Sequence, residues 1–108
     1  METSFSRETI SESAIKLKVT GSIGSEAYPS FSSEIENLIS SGKKDITIDL
    51  DDVDYLSSKC VSLIEKLLDS SYENDGNITI VSHSDNIRKI LEITGYDELL
   101  SDFEESNE

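Results

Sequence analysis

The apolar residues of this chain switch repeatedly between a repeat of two and a repeat near 3.6, and that alternation limits the fold more than any other feature. Over Ala14 to Thr20, Ile15, Leu17 and Val19 point one way and Lys16, Lys18 and Thr20 the other, the pattern of a half-exposed strand. From Ser25 the spacing lengthens to three and four. Ala27, Phe31, Ile35, Leu38 and Ile39 then fall on one helical stripe. Ser25 is the expected cap of that helix, because a serine oxygen can accept from a free backbone N–H of the first turn. Pro29 is tolerated only in the first turn, and Gly42 is a natural C-cap. Asp45 to Leu50 returns to period two, with Ile46, Ile48 and Leu50 on one face. A strand, a helix and a strand in that order predict a βαβ unit with a right-handed crossover.

The pattern continues to the C-terminus. Gly21 and Gly24 predict a loop after the first clear strand, and Asp51 to Tyr55 a short acidic connection with Val53 and Tyr55 tucked beneath it. A second helix is expected to start at or just after Ser57–Ser58, with one of the two as N-cap. Cys60, Val61, Leu63, Ile64, Leu67 and Leu68 are its broad apolar face, and Asn74-Asp75-Gly76 is its stop. Asn77 to Ser82 predicts a further strand, with Ile78, Ile80 and Val81. Ser84 caps a third helix carrying Ile87, Ile90, Leu91 and Ile93, which Gly95 ends. A last short helix is expected over Asp97 to Phe103, with Leu99, Leu100 and Phe103. A weaker strand over Ser4 to Ile10 would pair as an edge. The expectation is a single α/β domain with a mixed sheet of about four to five strands and about four helices. Residues 1–12 form a polar N-terminal segment, 13–103 the domain, and 104–108 an acidic tail read as disordered.

Composition narrows the function. Twenty-three acidic residues against nine basic ones give a formal net charge of −14. Such a surface repels nucleic acid and anionic lipid and suits a basic or mixed-charge protein partner. No apolar run is long enough for a membrane span and no signal peptide is recognisable, so the expected compartment is the cytoplasm. The single cysteine, Cys60, lies in an apolar run and reads as buried packing. The one histidine, His83, closes a strand as a surface or capping residue. Asp49, Asp51, Asp52 and Asp54 form an acidic cluster that offers oxygen ligands to a divalent cation, but without the spacing of a calcium loop it reads as a solvated loop. No Cys/His cluster, phosphate-cradling glycine loop or acid–base constellation is visible, so neither metal, cofactor nor enzymatic activity is expected.

What stands out is Ser57-Ser58, between a core strand and the start of a buried helix. Helix starts carry free backbone N–H groups and a partial positive charge, so a phosphoserine would be well accommodated there, and Lys59 is at hand to pair with it. Simple capping is the competing role. The run from Ile46 through Asp49-Leu50, Leu56-Ser57-Ser58-Lys59 and on to Ile64 resembles the central segment of STAS domains, found in anti-sigma-factor antagonists and sulfate transporters. In that family a strand ending in Asp-Leu leads to Asp-Ser-Ser-Gly at a helix start. Val19-Thr20-Gly21 before it, and Ile78 to Val81, Ser84 to Gly95 and Leu99-Leu100 after it, resemble the family's flanks, so the likeness spans Ile15 to Phe103.

The resemblance implies a partner-switching protein. Its partners would be an anti-sigma factor acting as an ATP-dependent serine kinase and a PPM-type phosphatase. Ser58 matches the phosphate acceptor, with Ser57 beside it, and Leu56, Ser57, Ser58, Lys59 and Ser62 would lie on the docking face. The chain departs from the pattern at Leu56, where the family has Asp, at Lys59, where it has Gly, and at Val61, where a later glycine is absent. Two other roles stay open: a degenerate STAS module that binds a partner constitutively as a scaffold or complex subunit, and a sensor of a small molecule or nucleotide.

Overall fold

The computed structural model describes residues 3–100. Four strands form one mixed sheet in the order β1 (Ser4–Thr9), β2 (Ala14–Ile23), β3 (Asp45–Leu56), β4 (Asn77–Val81). β1 runs antiparallel to β2, while β2–β3 and β3–β4 are parallel. Helices α1 (Tyr28–Ser41) and α2 (Ser58–Glu73) make the two crossovers, and α3 (Asp85–Thr94) follows β4. The weak edge strand inferred from Ser4 to Ile10 is therefore present as β1.

Alternation along β2 does what period two requires. Ile15, Leu17, Val19 and Ile23 are buried on one face, and Lys16, Lys18, Thr20 and Ser22 lie on the other. The buried row meets Ile46, Ile48 and Leu50 of β3, Phe31, Ile35 and Leu38 of α1, Ile64 and Leu67 of α2, and Ile87 and Leu91 of α3 in one continuous core. Gly42 and Gly95 close α1 and α3 as C-caps.

Several expectations are corrected. Asp51 to Tyr55 is not a connection. β3 continues through it to Leu56, with Val53 buried but Tyr55 46 % exposed. The register explains why alternation concealed this. Lys18 faces Asp49 and Thr20 faces Asp52; Gly21 then faces Val53 and Ser22 faces Tyr55. Each step puts one extra residue on β3, and each bulge resets which residues point inward. Gly21 is likewise not in a loop. It lies within β2 at a φ of 100°, a left-handed conformation that glycine adopts without steric cost, beside the second register shift.

Ser25 does not cap α1. A 3₁₀ turn over Ser25–Ala27 comes first, and α1 starts from Ala27 with no side-chain cap and Pro29 in its first turn. Ile93, placed on the apolar stripe of α3, is 76 % exposed. The last expected helix shortens to a 3₁₀ turn over Asp97–Leu99, after which Leu100 bridges to Ile80 of β4. The described residues thus hold three α-helices rather than about four. Phe103 and the 104–108 tail lie outside the described residues.

The turn from α2 to β4 is closely packed. Gly76 donates its N–H to the carbonyl of Ser71 at 2.7 Å, and a β-carbon at Gly76 would sit 2.7 Å from both the Lys44 carbonyl oxygen and Ser71 Oγ. The first of these atoms is backbone and accepts from the Asn77 N–H, so it cannot swing away. Gly76→Ala should therefore lower the unfolding free energy by about 1–3 kcal/mol. Urea titration reads this directly, and an unchanged midpoint would show that the turn is looser than described.

Candidate functional site

The end of β3 delivers the chain to the start of α2 through Leu56 and Ser57. Ser57 has extended backbone angles (φ −69°, ψ 152°), and its Oγ accepts the Cys60 N–H at 3.3 Å. Its own N–H donates to the Ile23 carbonyl at 2.9 Å, which ties the helix start to the end of β2. Of the two serines named as caps, Ser57 is the cap. Ser58 is the first helical residue, exposed, and no hydrogen bond engages its hydroxyl. The hydroxyl sits where the unsatisfied N–H groups of the first turn give a partial positive charge.

Lys59 and Ser62 lie on the exposed side of the same helix. The Lys59 ammonium stands 4.7 Å from the centroid of the Tyr28 ring, at the start of α1, within the range of a cation–π contact. The Ser62 hydroxyl donates to the Lys59 carbonyl at 2.6 Å. Leu56, grouped with the docking residues from the sequence, is only 1 % exposed and belongs to the core, so it shapes the loop from below. Cys60 is fully buried, with Sγ 3.9 Å from the Gly24 carbonyl oxygen, and packs as its apolar setting implied.

The acidic cluster is not a solvated loop, because its members lie on β3 and each has a polar partner. Asp49, nearly buried, lies 3.6 Å from both Lys16 and Lys18, and its Oδ1 accepts the Asp51 N–H at 3.0 Å. Lys18 also reaches Asp52 at 3.1 Å. The hydrogen bond to Asp52, and then the charge of Asp49, raise the Lys18 pKa above its ordinary value. Asp51 accepts from the His83 backbone and lies 2.7 Å from His83 Nδ1, which places the histidine on the surface as expected. Asp54 accepts the Ser22 hydroxyl at 2.7 Å, and its carbonyl accepts the Asn86 amide. Among the described residues no group of three or more His, Cys, Asp and Glu side chains gathers closely enough to hold a metal ion, and no helix is long and apolar enough to cross a membrane.

Sequence reasoning did not find Tyr28 as the partner of Lys59, or Asn86 as a clasp on the end of β3. Neither pair leaves a trace in spacing, because each joins residues far apart in the chain.

A mixed four-stranded sheet with crossover helices, and a serine-capped helix start beside its parallel strand ends, makes this an α/β domain of the mixed-sheet class. The chain is a member of the STAS domain family, whose family model matches residues 7–108. An anti-sigma-B factor antagonist of Staphylococcus aureus is 27 % identical over 92 residues, covering 85 % of each chain. The fold is that of SpoIIAA in its unphosphorylated form, with a TM-score of 0.80 at 15 % identity, over 90 % of this chain and 85 % of that one. An anti-sigma factor antagonist from Mycobacterium paratuberculosis superposes equally well, with a TM-score of 0.81 at 18 % identity, over 93 % and 84 %.

Proposed function

We propose that this chain is a partner-switching regulator of the bacterial cytoplasm that binds an anti-sigma factor of the serine-kinase kind, with the start of α2 as docking face and Ser58 as phosphate acceptor. One observation carries this reading: the Ser58 hydroxyl is exposed and unengaged at the first position of α2, while Ser57 is held as the cap. A phosphorylated Ser57 would lose a cap; a phosphorylated Ser58 would keep it.

In the transfer, Ser58 Oγ attacks the γ-phosphorus of ATP bound to the partner. The new O–P bond forms as the bond to the β-phosphate bridging oxygen breaks. ADP leaves, and the hydroxyl proton passes to a base or to water. The product dianion lies at the positive end of α2, with Lys59 beside it. A phosphatase of the PPM type would reverse the step by hydrolysis. The phosphoryl charge would then repel an acidic contact, or displace a close one, on the docking face.

Lys59 favours one second reading. Where the family has glycine, it projects a side chain onto Tyr28 and adds bulk to the docking face, as a constitutive scaffold with a lost switch would tolerate. Incubation with a candidate anti-sigma kinase and ATP, read by intact mass, separates the two. One added phosphate is expected, abolished by Ser58→Ala and retained in Ser57→Ala. The second substitution should instead cost about 0.5–2 kcal/mol of stability through the lost cap. Binding without any phosphate would establish the constitutive scaffold, and phosphate retained in Ser58→Ala would move the acceptor elsewhere.

A further inference from the structure

Beside the start of α2 the surface opens into a recess of about 590 Å³. It lies between β1, the end of β2, the 3₁₀ turn before α1 and the end of β3. Phe5 and Tyr55 supply aromatic surface, Ser22 and Gly24 lie along it, and Glu26 is the charged residue of its lining. These parts differ in how closely their neighbours hold them. Phe5 is backed by Phe31, with ring centroids 6.1 Å apart and planes 13° from parallel. Ser22 is pinned by its hydrogen bond to Asp54, and its carbonyl accepts the Thr3 hydroxyl at 2.7 Å. Tyr55, by contrast, is 46 % exposed on the second bulge of β3.

Glu26 has no hydrogen bond or ion pair to any described residue. One of its carboxylate oxygens lies 3.0 Å from where a β-carbon on Gly24 would stand, so the glycine leaves the carboxylate room to lean into the recess. The Asp54 carboxylate, across Ser22, adds a second negative charge nearby. The whole chain carries −14, so a cation is drawn to this surface from any side.

We propose that this recess receives an arginine side chain from the protein partner. A planar guanidinium stacks on an aromatic face and donates two parallel hydrogen bonds to one carboxylate, and the recess offers both an aromatic wall and a free carboxylate. A lysine ammonium would use the charge but not the plane. The recess adjoins the serines because the Ser57 N–H bonds to the Ile23 carbonyl, between Ser22 and Gly24. An arginine seated here would bring its partner's backbone over the start of α2. This inference rests on the proposed docking face but adds the chemistry of the bound group.

The test needs neither a kinase nor a sigma factor, so its failure would leave the phosphate-transfer result untouched. The intact chain is titrated with the blocked tripeptides Gly-Arg-Gly and Gly-Lys-Gly while amide shifts are followed by nuclear magnetic resonance at physiological ionic strength. Saturable shifts confined to Ser22 through Tyr28 and to Tyr55 are expected for the arginine peptide. Glu26→Gln should weaken its binding about tenfold, as loss of a charge-assisted hydrogen bond implies. Tyr55→Ala, at an exposed position, should weaken it about fivefold, and the lysine peptide should bind at least about threefold more weakly than the arginine peptide. Shifts spread over the acidic surface, equal affinity for both peptides, or affinity unchanged in Glu26→Gln would each overturn the assignment.

Discussion

Leu56→Asp should destabilise this domain by at least about 4 kcal/mol. Leu56 is 1 % exposed and part of the continuous core. Removing its side-chain volume costs about 2–5 kcal/mol. A carboxylate in its place must also either shed its hydration without a partner or take up a proton, and each outcome adds to the loss. Against a typical domain stability of about 5–15 kcal/mol, that leaves the variant close to unfolding at room temperature. Leu56→Met, which conserves volume, should cost under about 1.5 kcal/mol. Urea unfolding followed by circular dichroism measures all three proteins. A Leu56→Asp protein within 1 kcal/mol of the parent, on the order of an exposed surface change, would mean that the side chain turns outward and belongs to the docking face after all.

Phe31→Ala should cost about 3–5 kcal/mol, the range for truncating a buried phenylalanine. Phe31 is fully buried on α1 and stacks on Phe5 of the edge strand. Its loss therefore empties the core and also loosens β1, whose burial is otherwise slight. For a domain of about this size the expected fall in Tm is about 4–8 °C for each kcal/mol. Amide exchange in β1 should accelerate more than exchange in β3, because β1 is bonded on one side only, to β2. Phe5→Ala should cost less, since that ring is only partly buried. Equal exchange in β1 and β3 after Phe31→Ala would show that the stack does not hold the edge strand. Because Phe5 lines the recess beside the start of α2, the same loosening reaches that surface.

The α/β class and the order of elements were legible wherever one periodicity ran unbroken. Ala14 to Thr20 and Asp45 to Leu50 alternate without interruption, and β2 and β3 lie there. The cap at Ser57 was legible because a serine before an apolar helical stripe has one local use, although choosing between Ser57 and Ser58 needed the backbone angles. Asp51 to Leu56 was not legible as strand. Its two bulges are forced by pairing with Thr20 to Ile23 of β2, and a bulge breaks the alternation by which a strand is recognised. Ser25 failed as a cap for a related reason: the chain inserts a 3₁₀ turn before α1, which spacing alone does not distinguish from the helix itself.

Local chemistry written in the chain was thus enough to determine the class of fold, the family pattern and a serine pair at a helix start. Those depend on residues close in sequence, whose side chains must alternate, cap or turn whatever surrounds them. Tertiary structure alone decided that Leu56 faces the core, that Ser58 is the free hydroxyl, that Lys59 rests on Tyr28, and that Glu26 and Tyr55 share a recess with Phe5. Which way Leu56 and Tyr55 turn depends on two single-residue register shifts against a strand far away in sequence, and each shift sends the residues after it to the opposite face of the sheet.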